Sequence, residues 1–322
     1  MDSIGVLTSG GDAPGMNACI RSVVRTAHAN NVRTVGIKRG FKGLIDGDAE
    51  ILTSRTVGGI ARWGGTVLQT ARCEEFKTPE GIKNGLASIQ DLGIDGLIVI
   101  GGDGSLHGAL ALHKAGFPCV GIPGSIDNDV SGTDYAIGVD TATNTILEAM
   151  DKIKDTASAH QRAFVIEVMG RRCGYLATAA GVAGGAEMII APEKPVTMED
   201  IRAEIVRAHD RGKPHFIMIV AEGASLRASD ICDNLNTQGK QGYEARLTVL
   251  GHVQRGGSPT AFDRILASKL GNAAVKALLL GESGVMCGLD GVKTINTPLQ
   301  HVLEHNRSAD DYLLKLEETI AL

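Results

Sequence analysis

The chain of 322 residues is long enough for one large or two ordinary domains, and 43% hydrophobic residues give it ample material for a buried core. A formal net charge of −5 argues against a general nucleic-acid or anionic-membrane binder, because neither counterion release nor surface attraction favours docking an acidic chain. Aromatic residues, at 3%, offer few platforms for stacking bases, whereas 42 glycines announce many tight turns.

The chain opens straight into a strand over residues 4–8, with no basic start, long apolar stretch or cleavage site, so cytoplasm is its expected location. The turn Ser9-Gly10-Gly11-Asp12-Ala13-Pro14-Gly15 and an amphipathic helix over 16–29 follow. A strand at 34–37 precedes a long loop, 63–72, that carries Arg72, and loops of that length usually have a task. Beyond a helix over 79–92, the aliphatic run Leu97-Ile98-Val99-Ile100 stops at Gly101-Gly102-Asp103-Gly104-Ser105 and enters a helix reaching residue 115. A strand at 119–122 ends in a third such turn, Pro123-Gly124-Ser125-Ile126-Asp127-Asn128-Asp129. The rhythm continues with a helix over 141–156, a strand over 163–168, the turn Met169-Gly170-Arg171-Arg172-Cys173-Gly174 and a further helix. Then come a short strand at 188–190, a helix over 198–211, and a strand over 215–220 that ends at Glu222. A strand-like stretch at 247–250, the loop Gly251-His252-Val253-Gln254-Arg255-Gly256-Gly257, a helix over 261–280 and a last helix over 310–320 complete the chain. Strands alternating with helices predict an α/β fold with parallel sheets between helices, which places all strand carboxyl ends, and the ligands, on one edge. The turns are acidic before Gly138 and rich in Arg and His after it, which suggests a domain boundary there.

Asp12, Asp103, Asp127 and Asp129 sit among glycines at predicted strand ends. Magnesium and a nucleoside triphosphate need that combination, with hard oxygen ligands for the ion and unhindered amides for the phosphates. The helix after Gly104 aims its free amides at the same place. A carboxylate left free of metal can accept the proton of an attacking hydroxyl. The second half supplies Arg162, Arg171, Arg246, His252 and Arg255, cations suited to an acceptor that already bears a phosphate, and Glu222, which suits sugar hydroxyls. Two other classes share parts of the pattern. Glycines 102, 104 and 108 after a strand loosely match a dinucleotide fingerprint, which would make the chain an NAD-dependent oxidoreductase, and a non-catalytic sugar-phosphate sensor is a third reading. The six cysteines, scattered without C-x-x-C spacing, read as reduced thiols.

In order, the runs 9–17, 101–105, 124–129, 169–171 and 251–257 closely resemble the 6-phosphofructokinase family, over about residues 4–280. The resemblance implies two Rossmann-like domains, 1–138 with 251–300 for ATP and magnesium and 139–250 with 301–322 for fructose 6-phosphate, assembled as a homotetramer. It implies Asp127 as the base for the sugar's 1-hydroxyl, Asp103 as the magnesium ligand, and Gly11, Arg72, Cys73, Gly102, Asp103, Gly104 and Ser105 around ATP. Ser125, Ile126, Asp127, Asp129, Met169, Gly170, Arg171, Glu222, His252, Val253, Gln254 and Arg255 would face the sugar phosphate. Arg162 and Arg246 would be lent by a neighbouring subunit, and Arg72, Ser125 and Arg171 would join Asp127 in catalysis. The family's pyrophosphate-using branch typically has Asp at position 104 and Lys at position 124; both are glycine here, which points to ATP as donor. Arg21, Arg25, Lys154, Glu187, Arg211 and Lys213 resemble an effector pocket for ADP or phosphoenolpyruvate. Lys154 and Ser54 stand where arginine is usual, which predicts a weakened response because Lys clamps phosphate less well.

Overall fold

The first strand, β1 (Ser3–Ser9), is buried along its whole length, as befits an aliphatic run inside a parallel sheet. A glycine turn leads to α1 (Met16–Ala29), whose Met16, Ile20, Val23, Val24 and Ala27 recur at helical spacing and are buried. This computed structural model describes residues 1–160, 162–237, 243–305, 307–309 and 311–320. The next elements in chain order are β2 (Arg33–Ile37), α2 (Gly40–Asp46), β3 (Ala49–Leu52), α3 (Pro79–Asp91), β4 (Gly96–Gly101), α4 (Asp103–Lys114), β5 (Cys119–Pro123), α5 (Val139–His160) and β6 (Arg162–Val168). After these come α6 (Tyr175–Gly184), β7 (Met188–Ile190), α7 (Met198–Asp210), β8 (Phe216–Ala221), α8 (Ala228–Thr237) and β9 (Glu244–Val249). The last are α9 (Ala261–Leu279), β10 (Val285–Asp290), β11 (Lys293–Pro298), α10 (Leu299–Glu304) and α11 (Asp311–Ile320).

Several helices start where side chains take up their first amides. Thr78 accepts from the Gly81 amide ahead of Pro79 at the start of α3. Thr197 and Asp200 form a reciprocal capping box on α7. Thr260 caps α9, accepting from the Asp263 amide. The fully buried Asp263 in turn accepts from the amides of Gly138 and Thr141, at 2.9 and 2.8 Å, and from the Thr141 hydroxyl at 2.5 Å. Those bonds explain why α5 begins at Val139, two residues earlier than its sequence pattern predicts.

The chain divides into two compact units, Met1–Ile126 with Val130–Thr141 and Arg255–Asn306, and Asp127–Asp129 with Ala142–Gln254 and Arg307–Leu322. The resemblance instead implies segments 1–138 with 251–300 and 139–250 with 301–322, of which only the boundary near 138 is also read from the turns, and it keeps Asp127 and Asp129 with the first part; residues 321 and 322 of its last segment lie outside the described residues. Among the described residues the first unit holds a seven-stranded sheet in the order β11-β10-β5-β4-β1-β2-β3. Its five inner strands are parallel, while the edges β3 and β11 run antiparallel to their neighbours. Leu7, Val99, Leu97 and Ile37 from this sheet pack with Phe41, Leu44, Ile89, Leu106 and Leu112 from helices α2, α3 and α4. Among the described residues the second unit holds four parallel strands, β7-β8-β6-β9, and its core joins Val165, Met218 and Val220 to Ile201, Ile205, Ile231 and Leu235 of α7 and α8. The fold is therefore α/β, with mostly parallel sheets packed against helices.

The elements that the sequence reading leaves out, α2, β3, α8 and the β10–β11 hairpin with α10, share one trait: most lack an aliphatic run. The edge strand β3 is largely exposed and β11 alternates exposed and half-buried residues, so neighbours rather than sequence pattern fix them. Among the described residues no helix is long and apolar enough to cross a membrane.

Candidate active site

In the first unit β5, β4 and β1 are neighbours, so the three glycine turns at their carboxyl ends lie side by side. The Gly124 amide donates to the Gly101 carbonyl at 3.0 Å. A Cβ built on Gly10 would lie 3.1 Å from Ser105 Oγ, and one on Gly102 would lie 3.6 Å from Ser125 Cβ. Helix α4 begins one residue after Gly102, with no side chain capping it; the Ser105 amide turns to the Gly102 carbonyl at 2.9 Å, which leaves the first two amides, those of Asp103 and Gly104, without an intrahelical acceptor. Asp103 opens that helix, its side chain 60% exposed and 3.5 Å from His107. Gly104 has no atom within 4 Å of where a Cβ would stand. The space beside this helix start is thus free for a ligand, and the macrodipole favours an anion in it.

The loop at 63–72 is tied down to the first turn. Asn17, buried on α1, donates through Nδ2 to the carbonyls of Trp63, Gly64 and Gly65 at 3.1, 3.0 and 2.9 Å and accepts from the Val67 amide at 2.8 Å. Asp12 accepts from the Thr66 amide at 3.1 Å, and Thr70 donates to the Gly10 carbonyl at 2.8 Å. Arg72 follows as an exposed side chain and Cys73 is half-buried. Arg255 belongs to this unit as well. Its Nη1 donates to the Asp12 carbonyl at 3.2 Å and would stand 2.5 Å from a Cβ on Gly11. The structure therefore sets Arg255 over the first glycine turn, although the sequence groups it with His252, Val253 and Gln254, which fall in the second unit.

The second unit is built the other way round, from side chains that hold a loop. Gly170 has φ +140° and Arg171 φ +52°, a backbone that turns back on itself and closes with the Cys173 amide donating to the Gly170 carbonyl at 2.9 Å. Glu222 accepts from the amides of Gly170 and Arg171 at 3.3 and 2.8 Å. Gln254, fully buried, accepts from the Met169 amide at 3.2 Å and donates to the Gly251 carbonyl at 2.9 Å. Held this way, Arg171 sets its Nε 3.3 Å from a carboxylate oxygen of Asp127, whose side chain is only 3% exposed while that of Arg171 is 63% exposed. Asp129 is half-buried, and the buried Ser125 and Ile126 precede Asp127 in the chain. His252 and Val253 are exposed.

On the edge of the second sheet, Glu244 of β9 stands 3.5 Å from Arg162 and 2.6 Å from Arg246, so one carboxylate gathers both arginines. Burial and then the neighbouring Glu222 raise the carboxyl of Glu167, on β6, above its ordinary value. The effector candidates are divided. Arg21 and Arg25 line a 310 Å³ groove of the first unit with Ser268, Asn272 and Lys276. In the second unit Lys213 pairs with Glu187 at 3.4 Å, Arg211 with Glu204 at 3.2 Å, and Lys154 donates to the Gly184 and Gly185 carbonyls.

Gly108 is a glycine for packing, because a Cβ on it would come within 2.5 Å of the Phe41 ring, a role that the third glycine of a dinucleotide fingerprint shares, so this position does not separate the two readings. Among the described residues no cluster of three or more His, Cys, Asp or Glu side chains is placed to hold a metal. A lone exposed carboxylate at a helix start suits a magnesium ion that arrives with a triphosphate, since that ion keeps waters and takes few protein ligands. All six cysteines are free thiols; burial pushes the Cys287 thiol up to about 12 and that of Cys173 to about 11. Sequence reasoning overlooked Asn17 as the loop's anchor. Its signals were its place at the end of the run 9–17 and a polar residue on the inward face of an amphipathic helix.

The profile of the family described as phosphofructokinase matches residues 3–278. The chain is 52% identical over 329 aligned positions to ATP-dependent 6-phosphofructokinase 1 of Thermus thermophilus, and 50% identical over 322 residues to ATP-dependent 6-phosphofructokinase of Bacillus subtilis. Both alignments cover all of this chain and all of the relative. Among solved structures, phosphofructokinase of Pichia pastoris in the T-state superposes with a TM-score of 0.90 at 37% identity over 94% of this chain, which spans 35% of the yeast chain.

Proposed function

From its membership of the phosphofructokinase family we infer that this chain transfers the terminal phosphoryl group of ATP to the 1-hydroxyl of fructose 6-phosphate, giving ADP and fructose 1,6-bisphosphate in glycolysis. The observation that carries the mechanism is the buried Asp127 with Arg171 at 3.3 Å.

Asp127 takes the proton of the 1-hydroxyl while that oxygen bonds to the γ-phosphorus and the bond to the ADP oxygen breaks. Arg171 and Arg72 face the charge that develops on the transferring group, and the hydroxyl of Ser125 steadies it. Gly11, Cys73, Gly102, Gly104 and Ser105 line the triphosphate, where the first amides of α4 meet its oxygens. Magnesium bound with the nucleotide would be held on the protein side by Asp103 and would neutralise phosphate charge. Met169, Gly170, Glu222, His252, Val253 and Arg255 frame the sugar phosphate along with Ile126 and Asp129, and Gln254 supports Met169 from behind. Arg162 and Arg246 grip the 6-phosphate of a neighbouring subunit's substrate in a homotetramer. Exposed Leu247 and Val249 on the edge strand that carries Arg246 suit such an assembly. At a subunit interface Arg21 and Arg25 of one copy meet Lys154, Glu187, Arg211 and Lys213 of another in a weak effector site for ADP or phosphoenolpyruvate, and the enzyme works in the cytoplasm.

An assay with fructose 6-phosphate and, in turn, ATP, pyrophosphate or NAD(P) tests the reading. ADP and fructose 1,6-bisphosphate in equal amounts, with ATP alone, are expected. Turnover with pyrophosphate, or reduction of the nicotinamide, would overturn it.

A further inference from the structure

Two of the three side chains that hold the loop from Met169 to Gly174, Glu222 and Gln254, were already picked out by the sequence. The third was not. Glu193, in the segment between β7 and α7, accepts from the Gly174 amide through both carboxylate oxygens, at 3.0 and 3.1 Å. Its Oε1 also accepts from the Ala309 amide at 2.8 Å. Gly174 is the residue immediately ahead of α6, so a carboxylate there also meets the positive end of that helix. The fit is close. A Cβ on Gly174 would come within 2.5 Å of both Glu193 Oε2 and Ala191 Cβ.

Ala309 is no loose end. It is buried in a small cluster with Ala191 and Leu314 of α11, and Arg307, two residues earlier, lies over the Tyr175 ring at 5.9 Å from its centroid. The carboxyl-terminal segment therefore docks at the start of α6, and Glu193 joins it to the last amide of the loop. That loop has little freedom of its own, because the Cys173 amide closes on Gly170 and Gly223 leaves no room for a Cβ beside the Arg171 carbonyl. A shift at Gly174 is thus passed back to Arg171, and Arg171 faces Asp127.

We propose that Glu193 is a positioning residue, through which the carboxyl-terminal segment fixes the loop that presents Arg171 and so sets affinity for the phosphorylated acceptor. The proposal rests on the phosphofructokinase reading. It needs nothing from the nucleotide turns of the first unit, so its signature is confined to one substrate.

Three single variants test it, E193A, E193Q and A309P, each compared with the wild-type chain by steady-state kinetics and thermal melting. E193A removes both acceptors, and its KM for fructose 6-phosphate should rise about tenfold while KM for ATP and kcat stay within about threefold. E193Q keeps one amide oxygen able to accept from both Gly174 and Ala309 and should recover most of the loss. A309P removes the N–H that meets Glu193, while also fixing φ and adding a ring at a buried position, and with an unchanged melting temperature it should shift the same KM in the same direction; it carries the test if E193A folds poorly. An unchanged KM for fructose 6-phosphate in both E193A and A309P would overturn the proposal. So would a parallel loss in both KM values and kcat, which marks general loosening. A wild-type chain inactive on fructose 6-phosphate would instead sink the underlying reading.

Discussion

The loop after β4 and the loop after β6 occupy equivalent places in their own sheets and solve opposite problems. At the first, glycines strip side chains away and α4 starts uncapped, so the backbone itself is presented. At the second, Glu222, Gln254 and Glu193 take up the amides of Met169, Gly170, Arg171 and Gly174, so the backbone is silenced and a side chain, Arg171, is presented. A triphosphate with many equivalent oxygens is well met by amides and a dipole. A sugar bearing one phosphate and several hydroxyls needs placed side chains for its orientation.

The sharpest way to break the comparison is to remove the carboxylate that Arg171 faces. Asp127→Ser should lower kcat about a thousandfold or more, the scale of a lost general base, while KM for fructose 6-phosphate remains measurable because Arg171 is untouched. Retained turnover in a single-turnover assay would assign the base elsewhere. Next in size is the side-chain half. Arg162→Ala and Arg246→Ala each remove a charge-assisted contact and should raise KM for fructose 6-phosphate about 10- to 100-fold, with KM for ATP little changed. Mixing Asp127→Ser with Arg162→Ala subunits should restore part of the activity if the arginine is lent across subunits; no recovery after verified subunit exchange would place both groups in one chain's site.

The backbone half answers to Gly104→Asp. Nothing lies within 4 Å of the new Cβ, and an acid in the first turn of a helix is favourable, so melting temperature should hold or rise slightly. The same carboxylate would repel the triphosphate, and KM for ATP should rise at least about tenfold. A lower melting temperature with unchanged KM would mean that Gly104 serves packing after all.

Much of this contrast was legible in the sequence because strands β1, β4, β5 and β6 announce themselves as aliphatic runs and their turns as glycine with Asp or Arg. The second loop's supports were harder to read. Glu193 lies 19 residues after Gly174, three beyond a short predicted strand and outside any glycine turn, and only the fold brings it back. Asn17 is hidden in the same way, as a polar residue within an apolar helix face. Arg255 shows the converse. Its neighbours His252 to Gln254 share its motif, yet chain order does not reveal that it turns toward Gly11 and Asp12 while Gln254 turns toward Met169.

The smallest expected effect probes what holding a loop with carboxylates costs the second unit. Glu167 and Glu222 are close enough that, after burial, the second carboxylate also raises the first above its ordinary value of 4.5. A raised native value means that the folded chain binds this proton more tightly than the unfolded chain does, so the favourable contribution is complete below about 4.5 and is lost as pH rises through the native value. Near neutrality the charged Glu167 therefore weakens the fold. Glu167→Gln should raise stability at pH 7, by less than about 1 kcal/mol because solvent screens a group this open, and the gain should vanish near pH 4. Denaturant titrations of both chains at the two pH values check this. In the Glu222→Gln background the gain should shrink, since one source of repulsion is gone; a gain equal at both pH values would instead mean that Glu167 acts through packing and that the carboxylates around the loop carry no mutual strain.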